Sequence, residues 1–316
     1  MTGAYSERLW PSLRASFCLA IVVFLVSPMV IVAIVSFSSA PFLTFPPPGL
    51  SLQWYRKLAS SSVWLDAIAT SATIMLPSAT VATAAGTAAA VGLARARIPG
   101  AGLIASLIMA PMIVPVIITG AAMLGVFRAW GLQGTRAGLI LAHTTLAIPY
   151  VVFTVLAAMR LVDDQLESAA LTLGATRWRA FWRVTFPLIL PAVLSGLLFA
   201  MVISFDELVV SIFLSSPTVR PVTVQMWSDV RGDVDPTIAA IGALLLAFSI
   251  CALLIETVLN RQRTRPLVAE TAGTGPGIGP GIGPGIGPRA GPRTGPRTGP
   301  RIGPRIGPRI GPGVAR

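Results

Sequence analysis

The chain has 316 residues, 54% of them hydrophobic and only 11% charged. A soluble globule is usually about a quarter charged, so this composition excludes one and places the chain in a lipid bilayer. The net charge of +12 says little about the folded part, because seven arginines follow Gly285 in a repetitive tail.

A bilayer core about 30 Å thick takes roughly 20 apolar helical residues. Six stretches reach that length: 15–37, 67–94, 103–127, 137–159, 192–214 and 237–259. They are continuous rather than alternating, which selects helices over a closed barrel as the way to satisfy the backbone in lipid. The expected fold is all-α: a six-helix membrane domain over 15–260, preceded by a short segment 1–14 and followed by a Gly/Pro/Arg-rich tail, 261–316.

The first run is followed by Ser38-Ser39-Ala40, which loosely resembles a signal cleavage site. Its 23 apolar residues exceed the roughly 7–15 of a signal peptide, so it reads as a retained helix. The second run is crowded with small residues over 79–94, suited to close helix packing. Pro28, Pro77, Pro111, Pro115 and Pro149 predict kinks within the spans.

Basic residues set the orientation. With both termini in the cytoplasm, the inner segments hold eleven arginines before the proline repeat and the outer loops hold six basic residues. The outer loops then include 38–66 and 215–236, the second carrying Asp229, Asp233 and Asp235. An insertion at 161–191 falls inside the cell.

Leu166, Ala169, Ala170 and Leu173 recur at i, i+3, i+4 and i+7, predicting a short helix that Gly174 breaks. Trp178, Phe181, Trp182 and Thr185 repeat the spacing, and Pro187 and Pro191 are expected to end that second helix before the fifth span. Such a knob is either a surface connector or a dock for a soluble partner. In the tail, proline recurs every fourth residue from Pro276 to Pro312. Collagen needs glycine every third, so this repeat is expected to be disordered.

The insertion resembles the cytoplasmic EAA loop of permease subunits of bacterial ATP-binding-cassette importers, whose Glu-Ala-Ala, three residues, Gly pattern ends near a proline. The match runs Ser168-Ala169-Ala170, Gly174-Ala175 and Val184-Thr185-Phe186-Pro187. The family's glutamate falls on Ser168, with Glu167 one residue earlier; a helix turns about 100° per residue, so Glu167 is no simple replacement. Ser36-Phe37, Phe45-Pro46, Leu50-Ser51-Leu52-Gln53-Trp54-Tyr55 and Ile203-Ser204-Phe205-Asp206-Glu207-Leu208 look like spermidine/putrescine-type permeases. The resemblance implies a type I importer permease in the bacterial inner membrane. It also implies separate ATP-binding subunits, a second permease chain, identical or different, and an extracytoplasmic solute-binding protein. Glu167, Ser168, Ala169, Ala170, Gly174, Ala175 and Pro187 are then the ATPase-coupling residues.

Asp206 and Glu207 lie within the fifth apolar run, where ionisable groups are retained mainly beside water-filled paths or partners. At about 1.5 Å per residue, Asp206 sits roughly 12 Å from the outer end of its span and His143 roughly 9 Å from the outer end of the fourth. Two roles fit: a cation-attracting level of the translocation path, or pairing of the acids with His143 or an arginine to hold the bundle.

No Gly-x-x-x-x-Gly-Lys-Ser/Thr loop is present, and the sole lysine is Lys57. No catalytic, metal or cofactor site is expected in this chain; ATP belongs to the partner, membrane lipid surrounds the domain, and nucleic acid is not an expected partner. A stand-alone six-helix secondary transporter or channel is the alternative, although it would have no use for a docking knob.

Overall fold

The computed structural model describes residues 3–95, 99–232 and 235–273, with side chains from 13 to 258. Arg97, Asp233 and the proline repeat lie outside the described residues. Contacts divide the chain into a unit of residues 1–268, treated below, and a unit of residues 269–316, of which only the helical 269–273 are described.

Among the described residues every regular element is a helix: α1 (Gly3–Val35), α2 (Gln53–Ser60), α3 (Ser62–Arg95), α4 (Ala101–Ile113), α5 (Val116–Ala129) and α6 (Arg136–Met159), followed by α7 (Asp164–Thr172), α8 (Arg177–Ala180), a π turn (Phe181–Thr185), α9 (Phe186–Asp206), α10 (Val209–Leu214), α11 (Val222–Arg231) and α12 (Thr237–Gly273). Five are long and apolar enough to cross a bilayer: Leu13–Val35, Ser62–Arg95, Arg136–Met159, the run Arg177–Asp206, and Thr237–Val258. The sixth expected span, 103–127, is two helices, α4 and α5, bent by 104°. Val114 is extended (φ −71°, ψ 131°) and Pro115 opens the next helix. Proline disfavours helical geometry in the residue before it and lacks the donor needed to carry the ladder through, so the expected kink becomes a break.

Three more boundaries differ from the sequence expectation. Pro187 and Pro191 do not end a helix: helical structure runs unbroken from Arg177 to Asp206, with a π turn at Phe181–Thr185 just before Pro187 and with Pro191 inside α9. The fifth span stops at Asp206 instead of reaching 214. The last helix continues through 261–273, which had been assigned to the tail.

The core is built by α3, α6 and α9, which pack chiefly on one another. In lipid there is little hydrophobic drive between helices, so close packing of small residues carries the association. Ala79, Ala82 and Ala90 of α3 face Ala147, Val151, Val152 and Val155 of α6 and Ile189, Val193 and Ala200 of α9 in one buried cluster. Gly86 and Gly196 both abut Val151: a Cβ on Gly86 would lie 2.8 Å from Val151 Cβ, and one on Gly196 3.2 Å from its Cγ1. A second cluster joins Ile74, Leu139 and Leu146 to Phe127 of α5 and to Val210 and Leu214 of α10. The third, Leu58, Trp64, Ala67, Val222 and Ile241, ties α2 and α11 to the starts of α3 and α12. By contrast, the apolar surface of α1 is almost all exposed, as suits a lipid- or partner-facing helix.

Gly86→Val should therefore lower the thermal midpoint of the detergent-purified protein, by the equivalent of about 1–3 kcal/mol for overpacking. Gly92→Ala, with nothing within 4 Å of the added carbon, should leave the midpoint unchanged or raise it slightly, which a parallel melting curve checks.

Candidate functional site

The knob follows α6 directly. Asp163 caps α7 by accepting from the Gln165 N–H (2.9 Å), and Thr176 caps α8 by accepting from the Arg179 N–H (3.3 Å). Between them Gly174 has φ +87°, a conformation only glycine adopts cheaply, and reverses the chain. The turn leaves Leu173 89% and Trp178 71% exposed at the tip. Ala169 and Pro187 are exposed, while Ala170 and Ala175 are partly covered. Ser168 is exposed too, and its hydroxyl donates to the Asp164 carbonyl of its own helix (3.0 Å).

Glu167 points the other way. Its carboxylate forms an ion pair with Arg95, the last residue of α3, and accepts from Thr185 Oγ1 (2.8 Å). Thr185 was expected on the same helical face as Trp178, Phe181 and Trp182, but it is fully buried. The π turn accounts for this: one extra residue per turn rotates the chain by roughly 100° relative to an α-helix and carries Thr185 off the aromatic face. The aromatics stack among themselves, with Trp182 centred 5.5 Å from Trp178 and 4.6 Å from Phe186.

Beside the knob opens a cavity of about 1330 Å³. The knob side contributes Glu167, Trp178 and Trp182, and the α3 side contributes Thr80, Thr83 and Thr87 at i, i+3 and i+7. Thr80 and Thr83 donate to carbonyls of their own helix, at 2.7 Å each, whereas the Thr87 hydroxyl has no partner among the described residues. Asp206, Glu207 and His143 do not line this cavity.

Those three lie toward the other end of the bundle, where α9 breaks. Glu207 is extended (ψ 107°). Its carboxylate accepts from the Val210 N–H (2.9 Å) and so caps α10, while its carbonyl accepts from the Ser211 hydroxyl (2.7 Å) and the Thr223 hydroxyl (3.2 Å). Asp206, one residue earlier, is exposed. His143 is 2% exposed, with Nδ1 2.9 Å from Ser204 Oγ and Nε2 3.0 Å from Ser211 Oγ. One ring nitrogen donates and the other accepts, and the imidazole bolts α6 to both sides of the break. The three expected pathway residues thus have three environments: an exposed acid, a cap and a buried bolt.

At this end Lys57 of α2 forms an ion pair with Asp235, just before α12, and Asp235 Oδ1 also accepts from the Thr237 N–H and hydroxyl, 2.7 Å each. Burial alone would raise the Asp235 pKa, but the hydrogen bonds from Lys57 and Thr237 and the Lys57 charge hold it below the usual carboxylate value. Asp229 accepts from Gln225 Nε2 (2.8 Å). Both described acids of this loop are therefore engaged within the chain.

Sequence reasoning counted Arg95 only as a topology charge and missed its pairing. The α3 threonines were legible as a polar stripe in an apolar helix, at helical spacing.

The described elements thus form a bundle of long helices with one broken span and a protruding helix-turn-helix. Residues 82–265 match the family described as binding-protein-dependent transport system inner membrane component. The chain belongs to that family. It is 35% identical over 230 residues, 71% of this chain and 82% of the relative, to the putrescine transport system permease protein PotI of Escherichia coli K12. The spermidine/putrescine transport system permease protein PotC of the same organism is 30% identical over 253 residues, 80% of this chain and 96% of the relative. In fold, the chain is similar to a chain of the crystal structure of a bacterial ABC transporter that imports the acidic polysaccharide alginate. The TM-score is 0.60 at 15% identity, covering 82% of this chain and 97% of that one. The chain is thus a polytopic α-helical permease of the ABC importer class.

Asp235 titrates with a folded pKa below its unfolded value, so its contribution to stability is full above about pH 3.9 and lost as pH falls through the folded value. The difference in unfolding midpoint between the wild type and Asp235→Asn should therefore stay constant from about pH 6 to pH 4.5 and shrink only as the pH falls below about 3.9.

Proposed function

We propose that this chain is the pore-forming permease subunit of an ATP-driven importer for polyamines or similar small cationic solutes. It works in a bacterial inner membrane, with both termini in the cytoplasm. The observation that carries this reading is the knob: an exposed, partly apolar helix-turn-helix held at the mouth of a large cavity by a glycine turn. Leu173 and Trp178 offer apolar surface that a soluble partner would cover. That partner is a separate ATPase, which supplies the ATP site this chain lacks. A second permease chain covers the open side of the α3 cavity and completes the path, and an extracytoplasmic binding protein delivers the solute. Closure of the ATPase pushes the knobs and rocks the spans between inward- and outward-open states.

The solute class rests on the polyamine names of PotI and PotC and on the exposed Asp206 at the helix break. An amine cation is attracted to a carboxylate in a water-filled path, where a neutral solute gains nothing from it. Glu207 and His143 act at the same level indirectly, by fixing the break that presents Asp206.

Affinity-tagged permease should recover a nucleotide-binding subunit from membranes, and Gly174→Pro should abolish that recovery. Proline is locked near φ −65° and loses the Gly174 N–H that donates to the Leu171 carbonyl (3.0 Å). A wild-type permease that transports in proteoliposomes without any ATPase would instead be a stand-alone transporter.

Asp206→Asn should lower putrescine uptake about tenfold, equivalent to roughly 1.4 kcal/mol of lost attraction. Glu207→Gln should lower it less, since an amide oxygen can still cap Val210. Unchanged uptake in both variants would remove the acids from the pathway.

A further inference from the structure

We propose that Arg95, Glu167 and Thr185 form an internal clamp that makes the knob, the end of α3 and the start of α9 move as one body. Arg95, distant in sequence from the other two, closes a ring with Glu167 and Thr185, which lie 18 positions apart. Arg95 Nη1 pairs with Glu167 Oε2, Arg95 Nη2 donates to Thr185 Oγ1 at 2.7 Å, and Thr185 Oγ1 donates to the same Glu167 Oε2 at 2.8 Å. Threonine is suited to the middle position because one hydroxyl accepts from the guanidinium and donates to the carboxylate. The charged side chains are largely covered, 25% and 17% exposed, and Thr185 is fully buried. Water screens such a ring far less than a surface pair, and its bonds are charge-assisted.

The clamp has a mechanical use. The knob is joined covalently to α6 at one end and, through the π turn, to α9 at the other, but it has no covalent link to α3. Arg95 supplies that third attachment. A push on the knob then reaches both α3 and α9, the two helices whose residues wall the large cavity. Glu167 is in this account a positioning residue within the permease, while the surface offered to an ATPase is Ser168, Leu173 and Trp178. The proposal rests on the coupling role assigned to the knob above.

The test uses the assembled complex of permease pair, ATPase and binding protein. Thr185→Val keeps the shape of the side chain and removes the hydroxyl; Thr185→Ser keeps the hydroxyl. Spin labels at Gln165 on α7 and Ala85 on α3, both exposed, report whether knob and span move together, in a background with Cys18 and Cys251 replaced. In the wild type and in Thr185→Ser the label distance should be the same in nucleotide-free and ATP-trapped complexes. In Thr185→Val and Glu167→Gln it should change between the two states, and solute moved per ATP hydrolysed should fall about tenfold, the size of one lost charge-assisted hydrogen bond. ATPase recovery should stay at the wild-type level in all four. Charge reversal at both positions, Arg95→Glu with Glu167→Arg, should restore part of the coupling that either reversal alone removes.

An unchanged label distance and unchanged coupling in Thr185→Val would overturn the clamp. Loss of the ATPase subunit from Glu167→Gln would also overturn it, by placing that carboxylate at the docking surface. Failure of the coupling reading itself has a different signature, namely undiminished ATPase recovery in Gly174→Pro.

Discussion

The close approach of α3 and α9 to Val151 of α6 is the constraint on which the molecule depends. Two glycines, Gly86 and Gly196, remove the side chains that would hold these helices apart. In lipid the gain is dispersion and buried small-residue contact, since apolar side chains are as well solvated by tails as by each other. The alanines of α3 extend the contact along the helix. Every functional feature hangs from this three-helix core: the knob leaves the end of α6, Arg95 ends α3, and the acids lie where α9 breaks.

Continuity of the chain from Arg177 to Asp206 has a consequence for motion. The second knob helix and the fifth span are one rod that passes through a π turn at Phe181–Thr185 and carries Pro187 and Pro191. Displacement at Trp178 need not be passed on through a flexible linker. The same rod ends at Glu207, which is itself pinned by the cap on Val210 and flanked by the His143 bolt. Under the proposed function, a push at one end of the rod reaches the break that presents Asp206 at the other.

Polar groups in the spans fall into two sets. Ser204, Ser211 and His143 satisfy one another in a buried site, where an unmet hydrogen bond would cost about 1–3 kcal/mol. Thr80, Thr83 and Thr87 instead lie along a cavity wall, where the Thr80 and Thr83 hydroxyls bond to carbonyls of their own helix and the Thr87 hydroxyl is buried without a partner among the described residues. The first pattern ties helices together across the bundle; the second uses its hydrogen bonds within α3. His143, in the first set, is buried and bonded to a serine on each side of the break.

Five of the six expected spans, to within a few turns, and the knob with its glycine turn could be read from residue order. They depend on local quantities: apolar run length, 3.6-residue periodicity, and the one residue type that accepts positive φ. The matches that implied an importer permease were likewise contiguous stretches. Tertiary structure decided what local rules leave open. Pro115 breaks a span whereas Pro187, just after a π turn, is carried within one, because the outcome depends on which carbonyls and donors neighbouring turns present. Glu167 turned inward because Arg95, 72 positions earlier, lies beside it, and Thr185 followed because a π turn rotated it off its predicted face. Adjacent acids Asp206 and Glu207 were separated into an exposed group and a cap by a backbone break that hydropathy does not register. Periodicity assigns a residue to a face of its own helix; only packing determines what that face meets.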